Sequence, residues 1–182
     1  AVSAIEKARR NPRYLTDFTL RDATRPTTSL SQALDDKELV ISVVPSHAVR
    51  EVWGKGRELV RPDALIVSAS KGIEVGSGKL VSEILMETLP REMHDRLCFL
   101  SGPSFAKEIA ERRPTAVSLA ARNETYAIAA QTLISSPEFR CYTTGDVVGV
   151  ELGGALKNVI AIAIGVADGL EAGLNSRAAL IT

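Results

Sequence analysis

The sequence carries no surplus of charge: 22 Lys and Arg are balanced by 22 Asp and Glu. Nucleic-acid binding needs a basic excess on some surface to meet the phosphates, so no nucleic-acid partner is expected. Cysteine is scarce, with Cys98 and Cys141 only. Each sits in an apolar, strand-like run far from the other, which reads as reduced core thiols of a cytoplasmic protein, not a disulfide framework. No Cys and His spacing suits zinc, and His47 and His94 stand isolated, so no metal site is expected. The longest uninterrupted apolar run, 159–167, is nine residues. That is far too short for a bilayer span, and none is expected. There is no internal repeat and no low-complexity tract. The chain opens on Ala1, not Met, so the lack of a leader says little about targeting.

A glycine-rich phosphate cradle is missing too. The nearest decoy, GIEVGSGK at 72–79, has Ser77 where a P-loop needs its second glycine, and Leu80 where Ser or Thr should follow the lysine. Gly76, Ser77 and Gly78 read as a turn.

With 182 residues, of which 45% are hydrophobic, there is material for one domain and part of a second. Strand-like and helix-like segments alternate. Strands are expected at 39–44, 65–69, 97–100, 115–120 and 139–142. Helices are expected at 48–59, 80–89, 104–111 (with Ser104 as N-cap) and 124–134. This alternation predicts an α/β domain with a largely parallel sheet. Residues 1–10 read as a helix, 11–28 as irregular with room for a short strand, and 31–34 as the start of a short helix. Gly145 breaks the series and Asp146 can cap a helix that starts just after it. A boundary is therefore placed near Gly145, giving an α/β domain over 1–145 and the start of a helical domain over 146–182. A long helix is expected at about 147–170, and another begins at 175.

The long helix holds the most informative stretch, GALKNVIAIAIGVADGLEAGLN at 154–175. One lysine, Lys157, lies in an apolar, small-residue segment of helical period. At about 100° per residue, Val150, Gly154, Lys157, Ala161, Ile164, Gly165 and Asp168 share one sector. Small residues beside a lysine let another backbone or a flat ligand approach closely. A desolvated lysine there would have a lowered pKa, suited to proton transfer near neutral pH. The alternative is a lysine that snorkels to the surface. Glu151 lies about 240° around from Lys157, a poor direction for a partner. Asp168 is about 16 Å along the axis, which favours a structural role.

This stretch resembles the signature of NAD(P)-dependent glycerol-3-phosphate dehydrogenases, the bacterial branch in particular. Other segments agree in order: Val43, Val44, Pro45 and Ser46; Ser70, Lys71, Gly72, Ile73 and Glu74; Ser101, Gly102, Pro103, Ser104, Phe105 and Ala106; and the Arg13, Tyr14, Leu15 region. The resemblance runs over nearly the whole chain. It implies a Rossmann-like sheet that lacks its first βαβ unit, followed by the start of an all-helical C-terminal domain. The chain then reads as the middle of a longer enzyme. In that family the rest of the helical domain supplies an aspartate near the catalytic lysine and an Arg and Asn pair for phosphate and cofactor.

The implied reaction interconverts sn-glycerol 3-phosphate and dihydroxyacetone phosphate with NAD or NADP, feeding phospholipid synthesis. Oxidising the alcohol moves a hydride to the nicotinamide and a proton to a base. The resemblance assigns the proton to Lys157. It assigns substrate contacts to Lys71, Gly102, Ser104, Lys157 and Asn158, and cofactor contacts to Lys71 and Ala106. A phosphorylated small molecule is the implied partner, and a homodimer is compatible with it. Physical chemistry adds that Lys71, as a nearby cation, would favour the neutral amine on Lys157. Lys71 also follows a strand, at the end of an α/β sheet where ligands bind. The loop at 101–106 runs from a strand into a helix, so its N–H groups are expected to face an anion or a polarised oxygen. Two other readings stand beside this one: a β-hydroxyacid or phosphogluconate dehydrogenase, and a catalytically silent scaffold.

Overall fold

The computed structural model describes residues 2–181. Helix α1 (Val2–Ala8) leads into irregular chain, with no strand among the described residues before β1. Next come α2 (Leu30–Leu34), β1 (Leu39–Ser42), α3 (Val49–Gly56), β2 (Leu65–Ser68), α4 (Val81–Thr88), β3 (Leu97–Ser101), α5 (Ala106–Ala110), β4 (Thr115–Ala121), α6 (Glu124–Ile134) and β5 (Phe139–Thr144). Two helices, α7 (Val147–Gly169) and α8 (Gly173–Ile181), close the chain.

The five strands form one sheet in sequence order. Neighbours β1–β2, β2–β3 and β4–β5 are parallel, while β3–β4 is antiparallel, with Ser101 opposite Ser118. The expected largely parallel α/β sheet is present. The reversal at β4 follows from its connection: α5 is too short to carry the chain back along the sheet.

All four residues of β2 are buried, as a strand covered on both faces requires. On one face Ile66, Phe99 and Ala120 pack with Val49 and Trp53 of α3, Ile84 and Leu85 of α4, and Val147 of α7. On the other face Val67, Cys98, Val117, Leu119 and Cys141 pack with Ala127 and Ala130 of α6. Both cysteines are free and buried. Burial pushes the Cys98 thiol up to about 12, so it stays protonated and inert near neutral pH.

The turn expected at 76–78 forms, with Gly76 and Gly78 at positive φ and Gly78 N–H donating to Glu74 O. Asp146 caps α7 by accepting from Gly149 N–H at 2.8 Å. Ser104 does not cap α5. Its hydroxyl donates to Gly102 O at 3.3 Å, and Phe105 takes the cap position without a side-chain bond.

One helix bears on the expectation of no membrane span. By length and composition alone α7, at 23 residues, is long and apolar enough to cross a bilayer. Counting an uninterrupted run misses this, because Lys157 and Asn158 interrupt the run without lowering the mean hydropathy of the helix much. Length and composition are weak evidence, and the first turns of α7 pack on the sheet beside β3 and β4.

Candidate active site

Three elements bring the site together. Strand β2 ends at Ser68, and Lys71 follows three residues later. Strand β3 ends at Ser101, where the chain turns at Gly102. Helix α7 crosses this edge and carries Lys157. The three line one cleft of about 620 Å³, with Lys71, Ser101, Gly102, Pro103, Gly154 and Lys157 on its walls.

Glycine makes the convergence sterically possible at two positions. Gly102 has φ +150, and a Cβ there would meet Val117 Cα at 3.0 Å. A Cβ on Gly154 would meet the Ser101 hydroxyl oxygen at 2.6 Å, so a side chain at 154 would force Ser101 or α7 to shift. Lys157 is one turn further along.

The two lysines differ in surroundings. Lys71 Nζ donates to Gly102 O at 2.9 Å, so this carbonyl accepts from both Lys71 and Ser104. The expected array of N–H donors in this loop is replaced, at its contact with Lys71, by a carbonyl. The five-residue α5 is also too short to add much dipole. The Lys71 side chain remains exposed overall. Its amine is nonetheless pushed below the ordinary lysine value, first by partial burial in the cleft and then by the positive charge of Lys157. The sequence leaves Lys157 open between a desolvated amine and one that snorkels to the surface. In the structure Lys157 is exposed, and its ammonium lies 4.9 Å from the centroid of the Phe105 ring. The small-residue face that suggested burial is the face toward β3 only as far as Gly154.

A second, more apolar cleft of about 580 Å³ adjoins the first at Lys71. Its walls include Ile41, Val44, Pro45, Leu100, Ser104 and Ala106, along the ends of β1 and β3. Gly102 and Lys157 thus line the lysine cleft, Ser104 and Ala106 the apolar one, and Lys71 both. Asn158 is exposed on α7 and lines neither. Asp168 pairs with Arg177 of α8 at 3.5 Å, far from both clefts in sequence.

Two neighbours escaped sequence reasoning. Phe105 was read only as part of a motif, and nothing in its spacing announced a contact with Lys157. Glu151 was set aside as a partner for Lys157. It is buried, and its Oε1 accepts from Ser82 N–H of α4 at 2.9 Å. Burial raises its carboxyl above the ordinary value, opposed by hydrogen bonds from Ser82 and Val81. A signal existed: Leu80 stands at the N-cap of α4, where an oxygen is wanted, so the acceptor must come from elsewhere.

Comparison with known proteins bears on this arrangement. Residues 1–127 match the profile described as the NAD-dependent glycerol-3-phosphate dehydrogenase N-terminus, and residues 146–182 match the corresponding C-terminus. A glycerol-3-phosphate dehydrogenase [NAD(P)+] of Leptospira biflexa is 50% identical over 179 residues, covering 98% of this chain and 54% of that protein. One from Myxococcus xanthus is 48% identical, covering 100% and 54%. The crystal structure of glycerol-3-phosphate dehydrogenase from Coxiella burnetii superposes with a TM-score of 0.85 at 34% identity, covering 99% of this chain and 54% of that one. The chain thus spans about half the length of the curated relatives it matches. These likenesses do not favour a β-hydroxyacid dehydrogenase. With matches at both its sheet and its terminal helices, the chain belongs to the NAD-dependent glycerol-3-phosphate dehydrogenase family.

Proposed function

We propose that the whole protein is an NAD(P)-dependent glycerol-3-phosphate dehydrogenase, interconverting sn-glycerol 3-phosphate and dihydroxyacetone phosphate and supplying the former for phospholipid synthesis. The observation that carries this reading is the meeting of Lys71 and Lys157 on one cleft, beside an apolar cleft that shares Lys71.

The apolar cleft fits the nicotinamide end of a dinucleotide. Its walls are mainly Ile, Val, Leu, Pro and Ala, against which a flat ring can lie, with Ser104 and Lys71 as polar contacts at the rim. No residue set here offers a pyrophosphate cradle. When bound, the nicotinamide would supply the hydride chemistry. Lys157 takes the hydroxyl proton during alcohol oxidation and returns one to the forming alkoxide during ketone reduction. Its exposed amine can leave the Phe105 face and reach a substrate oxygen. Lys71, held by Gly102 O, adds fixed positive charge for a phosphorylated, anionic substrate. Gly102 lets substrate approach the backbone, Ser104 offers a hydroxyl, and Asn158 supplies an amide at the outer rim. Ala106 borders the ring. The sheet over 1–145 belongs to the dinucleotide-binding domain and 146–182 to the helical substrate domain. We read α7 as a helix of that domain, not a membrane span, because Glu151 ties it to α4 and Gly154 lies against β3. The cytoplasm suits the two free, buried thiols.

The test is oxidation of NADH and NADPH by the whole protein, followed by absorbance. Turnover is expected with dihydroxyacetone phosphate and not with 3-ketoacids. Turnover confined to the 3-ketoacids would overturn the substrate assignment.

A further inference from the structure

Helix α4 begins without a cap of its own. Leu80 at its N-cap has no side-chain oxygen, and Glu83 reaches back only to Leu80 N–H, at 2.8 Å. The first free donors of the helix are met by a residue 69 positions away. Glu151 of α7 accepts from Ser82 N–H at 2.9 Å. Glu151 is 8% exposed, and its Oε2 makes no hydrogen bond of good geometry among the described residues. Burying such a group costs free energy, so the contact must be replaced by something equally specific if it is lost.

The place of this contact on α7 gives it a second consequence. The helix has 23 residues, but Val147 and Glu151 are its only buried side chains. Its packing on the sheet and on α4 is concentrated at 147–154, with Val147 in the core, Glu151 on α4 and Gly154 against Ser101, while its far half meets α8 through the Asp168–Arg177 pair. Lys157 projects just beyond Gly154. Apolar contacts such as Val147 tolerate sliding and rotation. The Glu151 hydrogen bond is directional and does not. Lys157 lies ~9 Å further along the axis than Glu151, so a tilt of about 10° there displaces it by roughly 1.6 Å. A misplacement near 1 Å can cost about 10²-fold in rate.

We infer that Glu151 is a positioning residue: by bonding the N-terminus of α4 it fixes the rotation and tilt of α7 and so aims Lys157 into the cleft it shares with Lys71. This rests on the reading that Lys157 handles the proton. Glu151 touches neither substrate nor cofactor in this role.

The experiment is steady-state kinetics of the whole protein with dihydroxyacetone phosphate and NADH or NADPH, for Glu151→Ala, Glu151→Gln, Lys157→Ala and the double variant Glu151→Ala with Lys157→Ala. Glu151→Ala is expected to lower kcat at least tenfold with the KM for reduced nicotinamide changed less than twofold. Glu151→Gln keeps an oxygen for Ser82 N–H and should bring kcat back to within threefold of wild type. The double variant should be no slower than Lys157→Ala alone, because the group that Glu151 aims is already gone. Equal loss of kcat in the presence and absence of Lys157 would overturn the inference, as would failure of Gln to restore kcat. Should Glu151→Ala not fold, Glu151→Asp serves in the same cycle, retracting the carboxylate by one methylene. The same coupling to Lys157 is then expected at smaller amplitude, and its absence is equally fatal. A Lys157→Ala enzyme of wild-type kcat removes the proposed role of Lys157 and this inference with it. A slow Lys157→Ala enzyme whose loss simply multiplies with that of Glu151→Ala removes the inference alone.

Discussion

Over residues 147–154, α7 lies on the sheet, with Val147 and Glu151 buried and Gly154 against Ser101. Over 159–169 the same helix exposes Val159, Ile162 and Val166, and α8 exposes Leu174 and Ile181. Both halves satisfy their backbone hydrogen bonds internally, so both are helix. The first packs on the sheet and α4, whereas the second packs against α8 and leaves much apolar surface exposed. Helix formation is thus a local property, whereas burial depends on what else is present. A buried Ile or Val contributes about 1.5–3 kcal/mol relative to an exposed one, so the far half carries apolar surface that a further layer could use. Lys157 sits at the junction, where its side chain is exposed and rests on the Phe105 ring.

The largest expected effect tests that junction. Lys157→Ala in the whole protein should lower kcat by about 10²–10⁴, the usual loss for a positioned acid or base. Helix and fold should persist, since alanine is the best helix former and Lys157 is exposed. Lys71→Ala should instead weaken substrate binding along with turnover. The pH dependence separates the two further. Lys157 is one of the two causes that hold the Lys71 amine down. Removing it should raise the Lys71 pKa, so substrate KM should begin to rise at a higher pH than in wild type. Unchanged kcat together with an unchanged KM profile would show that Lys157 is neither the proton carrier nor a neighbour of Lys71.

A smaller effect compares the packed and unpacked regions directly. Leu85 of α4 is 0% exposed, and Leu85→Ala should cost about 2–5 kcal/mol in urea unfolding of the 182-residue chain. Ile162 of α7 is 68% exposed, and Ile162→Ala should stay within about 0.5 kcal/mol, helped by the better helix propensity of alanine. In the whole protein the Ile162→Ala cost should grow if added chain covers that face. Equal costs for the two variants in the 182-residue chain would mean that α7 is buried there by self-association.

Much of this contrast was legible in the residues. Period and punctuation placed every strand within about two residues, and the bounds of 124–134 coincide with α6 because Asn123 and Glu124 mark its start. Asp146 announced the cap of α7. The motifs named Lys71 and Lys157, which the fold brings to one cleft. What failed was inference about surroundings. A helical sector of small residues cannot say how far along the helix a neighbour extends, so it left open whether Lys157 is desolvated or reaches the surface, and the structure has it exposed. Ser104 carried the right chemistry for a cap, but the sequence did not show that Gly102 O would take its hydroxyl. Glu151 was half legible: Leu80 signals that α4 lacks a side-chain cap of its own, but not which residue supplies the acceptor. Its partner is 69 residues away, and only the packing of α7 on α4 joins them.

The smallest expected effect asks whether charge, as well as burial, holds the sheet half. Arg50 of α3 forms a fork with Glu74, Nε to Oε1 at 2.9 Å and Nη2 to Oε2 at 2.8 Å, and also reaches Glu87 of α4 at 2.9 Å. Lys79 adds a contact to Glu87. The network ties two helices on one face of the sheet, whereas the one ion pair of the far half of α7 among the described residues is Asp168–Arg177 with α8. Hydrogen bonds from Arg50 and then Ser77 hold the Glu74 carboxyl down at about 2, below its ordinary 4.5. The folded-state value is the lower one. Its contribution is therefore fully present above about pH 4.5 and is lost as pH falls toward 2. The groups are at the surface, where salt and solvent screen them, so the amplitude should be modest. Glu74→Gln should flatten the acid limb of a plot of Tm against pH while leaving Tm at pH 7 only slightly lower. High salt should shrink the difference between wild type and variant. An acid limb of unchanged steepness in Glu74→Gln would show that this network contributes nothing measurable, and that the packed half of the molecule stands on its apolar contacts alone.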